Sequence, residues 1–134
     1  MQQDFGNSLA ELASLAKALE DFGQRENLPP AVIGPLNLAL DELFTNIVQH
    51  GYPPGKEGRI FLQLRKNENS VEALLQDQAP AYNPFEAPDP DLESPIESRP
   101  IGGLGVHLVK ELMDHWEYRR DSDQNTIILR KNLG

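Results

Sequence analysis

The chain has 134 residues, of which 39% are hydrophobic and 25% are charged, and its formal net charge is −9. This length suits one domain that buries about 68% of its unfolded surface, and the composition argues against disorder throughout. The absence of cysteine excludes disulfides and cysteine-based zinc sites, and the acidic balance argues against non-specific binding to nucleic acid.

The N-terminal third is predicted to form two amphipathic helices. From about Ser8 to Asn27 apolar residues recur at helical spacing, and Ser8 with Glu11 has the pattern of a capping box. The main body of the second helix is predicted to start near Pro35 and to stop at Gly51. The sequence shows no secretory signal pattern and no apolar run of about 20 residues, so we expect a cytoplasmic protein without a membrane span.

After the second helix the hydrophobic period changes to two, which indicates strands. Residues 58–67 and 70–77 are predicted to form one β-hairpin, and residues 116–120 and 126–131 a second. Between the hairpins, residues 78–99 form a loop rich in proline and acidic residues, and a third helix then follows a glycine cluster. The predicted buried face of this third helix consists of Leu108, Val109, Leu112, Met113 and Trp116.

This order of elements predicts the fold class. Two helices, a hairpin, a long loop, a third helix and a second hairpin favour an α/β (α+β) two-layer sandwich. We expect a mainly antiparallel mixed sheet that three helices cover on one face, in one domain over residues 1–134.

Glu42 and Asn46 lie one turn apart on the second helix, and His50 follows after a further turn. An asparagine oxygen suits Mg²⁺, and a glutamate can take a proton from an attacking hydroxyl. The residues alone leave two alternatives open: a solvated polar stripe, which is the common case, and one wall of a catalytic pocket.

Asp77 is in phase with the apolar residues of its strand, so its side chain is expected on the buried face. A buried carboxylate is costly unless it accepts hydrogen bonds, and an N–H donor of a ligand base would supply one. The alternative is a turn-initiating aspartate just past the strand end, and the phase alone does not decide between the two.

The stretch GGLGVHL, residues 102–108, places glycines at the start of the third helix. Glycines allow a ligand to approach the backbone closely, and the N-terminus of a helix favours phosphate. A simple helix-entry turn is the alternative. A dinucleotide-binding fingerprint is excluded, because no strand leads directly into the glycines and no parallel βαβ unit follows. The spacing of the three histidines does not indicate a zinc site.

Read together, these motifs resemble the ATP-binding fold shared by gyrase, histidine kinases and related chaperones, in which they are the N, G1 and G2 boxes. The sequence is most similar to the small anti-sigma factor serine/threonine kinases of this superfamily. The similarity rests on four blocks in the family's order, from about Leu36 to Lys131: LALDELFTNIVQHGY, LLQDQAPAYNPFEAP, GGLGVHLVKELMD and WEYRRDSDQNTIILRK.

The resemblance implies roles for individual residues. Glu42 is the expected general base, and Asn46 the expected Mg²⁺ ligand beside the phosphates of ATP. Asp77 is expected to accept a hydrogen bond from the adenine amino group. Gly103 and Gly105 are expected to be the hinge that lays backbone N–H groups on the phosphates.

Further nucleotide-binding residues are implied around this set. Thr126 on the last strand is expected to support Asp77, and Arg99, in a nucleotide lid at about residues 78–102, to meet the γ-phosphate. The remaining expected nucleotide-binding residues are His50, Ala79, Gly102, Leu104, Val106 and His107. Ala79 departs from the family pattern, which has glycine there, so its methyl group is expected to crowd the nucleotide or to require a different φ.

The resemblance also implies a function: an ATP- and Mg²⁺-dependent serine/threonine kinase that acts as an anti-sigma factor in partner switching. Its expected protein substrate is a small antagonist of the anti-anti-sigma type, and it is expected to sequester a sigma factor or another regulator, with a possible homodimer. The alternative is an interaction module that sequesters a partner without phosphotransfer, with or without bound nucleotide.

Overall fold

The computed structural model describes residues 1–53, 57–86 and 103–134. Three α-helices lie within these ranges: α1 (Leu12–Arg25), α2 (Pro30–His50) and α3 (Gly103–Leu112). The strands are β1 (Gln2–Gly6), β2 (Arg59–Lys66), β3 (Ser70–Asp77), β4 (His115–Asp121) and β5 (Gln124–Asn132). They form one five-stranded sheet in the order β1-β2-β3-β5-β4, and every pairing is antiparallel.

One face of the sheet is covered by the helices, which confirms the two-layer prediction. Alternate residues of β2 and β3 are buried while those between them stay partly exposed, as expected of a sheet with one solvated face. Helix α2 supplies the central apolar layer, including Phe44, whose ring meets that of Phe5 edge-on at a centroid distance of 5.9 Å.

Strand β1 is absent from the sequence prediction. Its residues are mostly polar, and Phe5 is its one buried side chain, so neither alternation nor apolar content marks it as a strand. Its backbone pairs along one side only, with β2, as the edge strand of the sheet. The sequence prediction of four strands is therefore wrong, because it omits this edge strand.

Helix α2 begins at Pro30, ahead of the main body predicted from near Pro35, so the prolines after Leu28 are a helix start and not a break. Proline at the first helical position lacks only an N–H that would be unpaired anyway, whereas Pro35 removes one hydrogen bond inside the helix. Burial of Val32 and Leu36 holds the helix together across this point. By length and apolar composition alone α2 could span a membrane, but its buried side chains pack as those of a core helix do.

The first and third helices also differ in detail from their predictions. Ser8 caps a short 3-10 turn by accepting a hydrogen bond from the Ala10 N–H, and α1 starts only after this turn. Helix α3 ends at Leu112, so Trp116 belongs to β4 and is 37% exposed. Leu108 is also 37% exposed, and Val106 is buried in its place.

Tyr52, just after α2, ties the end of this helix to the sheet. Its hydroxyl donates to the carbonyl of Arg59 at 2.8 Å and accepts from the N–H of Gln78 at 2.9 Å. Its ring lies so close to Gly58 that a Cβ there would overlap it. The side chain is 8% exposed, so both hydrogen bonds are partly shielded from water.

Replacing Tyr52 with phenylalanine is expected to lower the free energy of unfolding by about 1–3 kcal/mol, because two partly buried backbone groups lose their partner. Urea unfolding checks this value. Tyr82→Phe is the control, since Tyr82 is 47% exposed and should tolerate the change. Equal stability of Tyr52→Phe and the wild type would contradict a stabilising role for the two hydrogen bonds of the Tyr52 hydroxyl.

Candidate functional site

Asp77 closes β3 with its side chain on the helix-covered face, where it is 5% exposed. Its Oδ1 accepts hydrogen bonds from the N–H of Ala79 and from Nδ2 of Asn125, both at 2.9 Å. The bond to Ala79 forms a turn, so the buried position and the turn role exist together. No described residue donates to Oδ2, which leaves this oxygen able to accept a hydrogen bond from a ligand.

Asn125 is the residue that contacts Asp77 across the sheet, and sequence reasoning missed it. It pairs with Asp77 in register on β5 and is 4% exposed. Besides its bond to Asp77, Nδ2 lies 3.1 Å from the carbonyls of Ala79 and Pro80. The available signal was its phase: Asn125 alternates with Ile127 and Leu129, two buried apolar residues of β5.

Thr126 does not support Asp77 in this structure. Successive strand residues point to opposite faces, so Thr126 lies on the face away from the helices. There its hydroxyl accepts a hydrogen bond from Nε2 of Gln76 at 3.2 Å. The expected contact between Thr126 and Asp77 is therefore corrected to one between Asn125 and Asp77.

A small cavity of about 20 Å³ lies beside Asp77, between the end of α2 and the ends of β3 and β5. Side chains from three parts of the fold line it. They are Leu43, Asn46 and Ile47 of α2, then Asp77, Ala79, Pro80, Tyr82 and Pro84 at and after the end of β3, and Asn125 and Ile127 of β5. The site thus combines two polar amides and a carboxylate with apolar walls, which is the usual make-up of a small-ligand site.

Asn46 and Ala79 both face this cavity, as the sequence predicted for residues of one site. Asn46 is half-buried, and no described residue hydrogen-bonds to its amide. Ala79 is 1% exposed and packs on Gly51, where a Cβ would lie 3.3 Å from its methyl group. Ala79 is not among the residues with positive φ, so its backbone needs no glycine. His50 is exposed at the end of α2 and does not line the cavity.

Glu42 contacts the first turns of α3 at Gly105. A Cβ on Gly105 would lie 2.9 Å from Cδ of Glu42 and would overlap its Oε2. Only glycine therefore lets the carboxylate come this close to the helix backbone. The contact places an acid next to the positive end of the α3 dipole, one turn along α2 from Asn46.

The remaining predicted residues are Arg99 and the other members of the glycine stretch. Gly103 and Leu104 begin α3, and Val106 is buried, so its side chain faces the interior. His107 is half-buried and its Nε2 lies 3.6 Å from Oε1 of Glu111, one turn further along α3. Arg99 and Gly102 lie outside the described residues.

A second, wider opening of about 1250 Å³ lies on the other side of Asp77, next to Tyr52. It extends over the solvated face of the sheet and is lined there by Asp4, Phe61 and Gln76. We assign the ligand site to the smaller cavity, because that cavity also contains Asn46 and Asn125.

The chain belongs to the histidine kinase-like ATPase domain family, whose family model matches residues 5–131. ATP binding is the property that this family implies. The match confirms the resemblance seen in the sequence, and it spans all of the site residues named above.

Two curated relatives of the chain are protein kinases. The chain is 31% identical over 111 residues to the serine/threonine-protein kinase BtrW of Bordetella bronchiseptica, covering 83% of this chain and 78% of BtrW. It is 31% identical over 110 residues to the serine-protein kinase RsbW of Bacillus thuringiensis, covering 75% of this chain and 64% of that relative.

Solved structures agree on the fold. The RsbU and RsbW domains of a Mycobacterium tuberculosis protein align with a TM-score of 0.66 at 13% identity, covering 99% of this chain and 32% of that chain. The histidine kinase domain of a blue-light activated histidine kinase from Erythrobacter litoralis aligns with a TM-score of 0.60 at 16% identity. The alignment covers 92% of this chain and 60% of that chain. Identities this low show the fold alone.

Proposed function

We propose that this protein is an ATP-dependent serine/threonine kinase that phosphorylates a small protein of the anti-anti-sigma type. The observation that carries the proposal is Asp77, a buried carboxylate whose Oδ1 is hydrogen-bonded and whose Oδ2 has no described donor. Such an oxygen in an apolar-walled cavity suits the amino group of adenine.

The base end of ATP fits the chemistry of the cavity better than its present size. A volume of about 20 Å³ holds roughly one water molecule. Adenine therefore requires the segment of residues 80–84, which forms the outer wall, to move outward. Tyr82 in this segment is 47% exposed, but Pro84 is buried, and the Pro80 carbonyl and the Tyr82 N–H are hydrogen-bonded to Asn125, so the movement has to break these contacts.

The phosphate end fits residues on α2 and α3. Asn46 offers a neutral oxygen in the cavity wall, which suits an Mg²⁺ ion that takes its other ligands from phosphates and water. When bound, Mg²⁺ would neutralise charge on the transferring phosphoryl group. The backbone N–H groups at the start of α3 would hold phosphate oxygens, as helix N-termini commonly do.

In the proposed reaction Glu42 is the general base. The hydroxyl oxygen of the substrate serine or threonine bonds to the γ-phosphorus while Glu42 accepts the hydroxyl proton. The bond between this phosphorus and the β–γ bridging oxygen breaks, and ADP leaves. Most of the rate enhancement is expected from positioning and charge stabilisation, as in other phosphoryl transfers.

The proposal extends to partner switching in the cytoplasm, with a lid at about residues 78–102 and Arg99 at the γ-phosphate. The kinase holds a sigma factor or a comparable regulator, and the unphosphorylated antagonist displaces it. Phosphorylation adds negative charge to the antagonist and ends the displacement. A homodimer is part of the proposal, in line with the family resemblance.

The deciding experiment measures transfer of the radiolabelled γ-phosphoryl group from ATP to small anti-anti-sigma-type proteins encoded beside this gene. Labelled serine or threonine on one of them is the expected result. Absence of transfer to every such protein would overturn the kinase proposal.

A second function, an interaction module without phosphotransfer, is favoured by one observation. The methyl group of Ala79 occupies the cavity wall where the family has glycine, and it packs on Gly51. Calorimetry with Mg²⁺-ATP separates the two functions: binding without transfer, or no binding at all, supports the interaction module.

Replacing Gly105 with alanine is expected to lower phosphotransfer at least about tenfold, because the new methyl group would displace the Glu42 carboxylate. Folding should persist, since alanine has the better helix propensity by about 1 kcal/mol. Gly34→Ala is the matched control: it lies in α2, and its added Cβ would meet nothing within 4 Å. Unchanged transfer in Gly105→Ala would contradict the contact.

A further inference from the structure

We propose that Asn125, held by Tyr118 and Arg120, is a positioning residue that makes Asp77 select a 6-amino purine over a 6-oxo purine. The inference rests on the proposed function, since it concerns the base end of the same nucleotide site. It assigns this task to three residues of the β4–β5 hairpin, to none of which the sequence analysis gives a role.

The surroundings of the Asn125 amide fix its orientation. Its Oδ1 lies 2.5 Å from the Tyr118 hydroxyl and 3.2 Å from Nη1 of Arg120, and arginine can only donate. Its Nδ2 faces the carboxylate of Asp77 and the carbonyls of Ala79 and Pro80, all of which can only accept. If the amide were flipped, its Nδ2 would face the Arg120 donor and its Oδ1 would face the three acceptors. The surroundings therefore permit one orientation.

The fixed Asn125 amide in turn fixes the carboxylate of Asp77. Because Nδ2 always presents hydrogen to Asp77, Oδ1 of the carboxylate is committed to Asn125 and to the Ala79 N–H. The carboxylate plane is thereby set, and Oδ2 is the oxygen that a ligand meets. An acceptor fixed in this way accepts from a 6-amino group and repels a 6-oxo group.

Arg120 holds both Asn125 and the backbone that follows Asp77. Its Nη1 also donates to the carbonyl of Ala79 at 2.8 Å, which anchors the turn that follows Asp77. Arg120 and Tyr118 reach Asn125 because they lie on the helix-covered face of β4 in register with β5. Arg119, between them, points to the opposite face and pairs with Glu117, whose pKa is lowered by hydrogen bonds from His115 and Arg119.

Removal of the Asn125 side chain would loosen this selection. The vacated space admits water, and water can donate or accept, so it can bridge the carboxylate to either kind of base. A merely structural defect would weaken binding of all nucleotides alike. The ratio of affinities for two bases is therefore the measurement that isolates the positioning role.

The experiment measures by calorimetry the binding of ADP and IDP, which carry a 6-amino and a 6-oxo base on the same ribose diphosphate. The wild type is expected to prefer ADP. Asn125→Ala is expected to reduce the ADP/IDP preference about tenfold or more, and Tyr118→Phe about threefold, in line with the loss of hydrogen bonds to a charged group and to a neutral one.

Thr126→Val is the matched control, because Thr126 is the buried neighbour of Asn125 on the opposite face. Its preference should equal that of the wild type even if its melting temperature falls. Should Asn125→Ala fail to fold, Tyr118→Phe decides. If the folded Asn125→Ala or Tyr118→Phe variant keeps the wild-type ADP/IDP preference, the inference is wrong but the proposed function is not. The same holds if the wild type binds both nucleotides equally. A wild type that binds neither nucleotide overturns the proposed function, and this inference with it.

Discussion

The Asp77→Asn variant is expected to bind ADP about 100-fold more weakly than the wild type and to bind IDP more tightly. The Ala79 N–H and the Asn125 amide both donate to Oδ1 of Asp77, so the amide oxygen of the new asparagine will take this position. Its NH₂ group then replaces Oδ2 and meets the ligand as a donor. A donor opposes the adenine amino group and pairs with a 6-oxo group, and each such contact changes affinity by roughly 10- to 100-fold.

Calorimetric titration of Asp77→Asn and of a control variant with ADP and IDP checks this expectation. Asp121→Asn, at the exposed end of β4, removes the same charge away from the cavity and should leave both affinities unchanged. A parallel loss of affinity for ADP and IDP in Asp77→Asn would mean that Asp77 supports the fold without reading the base.

Much of the fold could be predicted from the sequence because its elements carry strong periodic signals. Apolar residues at helical spacing indicate α2, and the alternation in β2 and β3 indicates a hairpin. Strand β1 carries no such signal, since it joins the sheet by its backbone and buries Phe5 alone. Backbone pairing depends on the edge that the rest of the sheet offers, which a local pattern does not contain.

The candidate site could be predicted only as far as its residues belong to motifs. Asp77, Asn46 and Ala79 were expected in one site and line one cavity. Asn125 was missed although its alternation with Ile127 and Leu129 places it on the buried face, because its contact with Asp77 also depends on the register of β5 against β3. Register is a property of two paired strands, so neither strand alone reveals it.

Glu42→Gln is expected to lower the rate of phosphotransfer by about 10²–10⁴-fold while ADP binding stays nearly unchanged, because the amide keeps the shape of the side chain but cannot accept the proton. Transfer of labelled phosphate in single-turnover conditions, together with calorimetry, checks both parts. Asp41→Asn is the control, since it removes the adjacent charge about 100° around α2. Full transfer by Glu42→Gln would exclude Glu42 as the base.

A double variant tests whether the Glu42–Gly105 contact serves this chemistry. If Gly105→Ala acts by moving the Glu42 carboxylate, it should cost little further activity once Glu42 is already glutamine. Independent effects would instead multiply, and Gly105 would then act through the backbone of α3, where phosphates are expected to bind. The non-additivity therefore distinguishes a glycine that makes room for the base from one that makes room for the nucleotide.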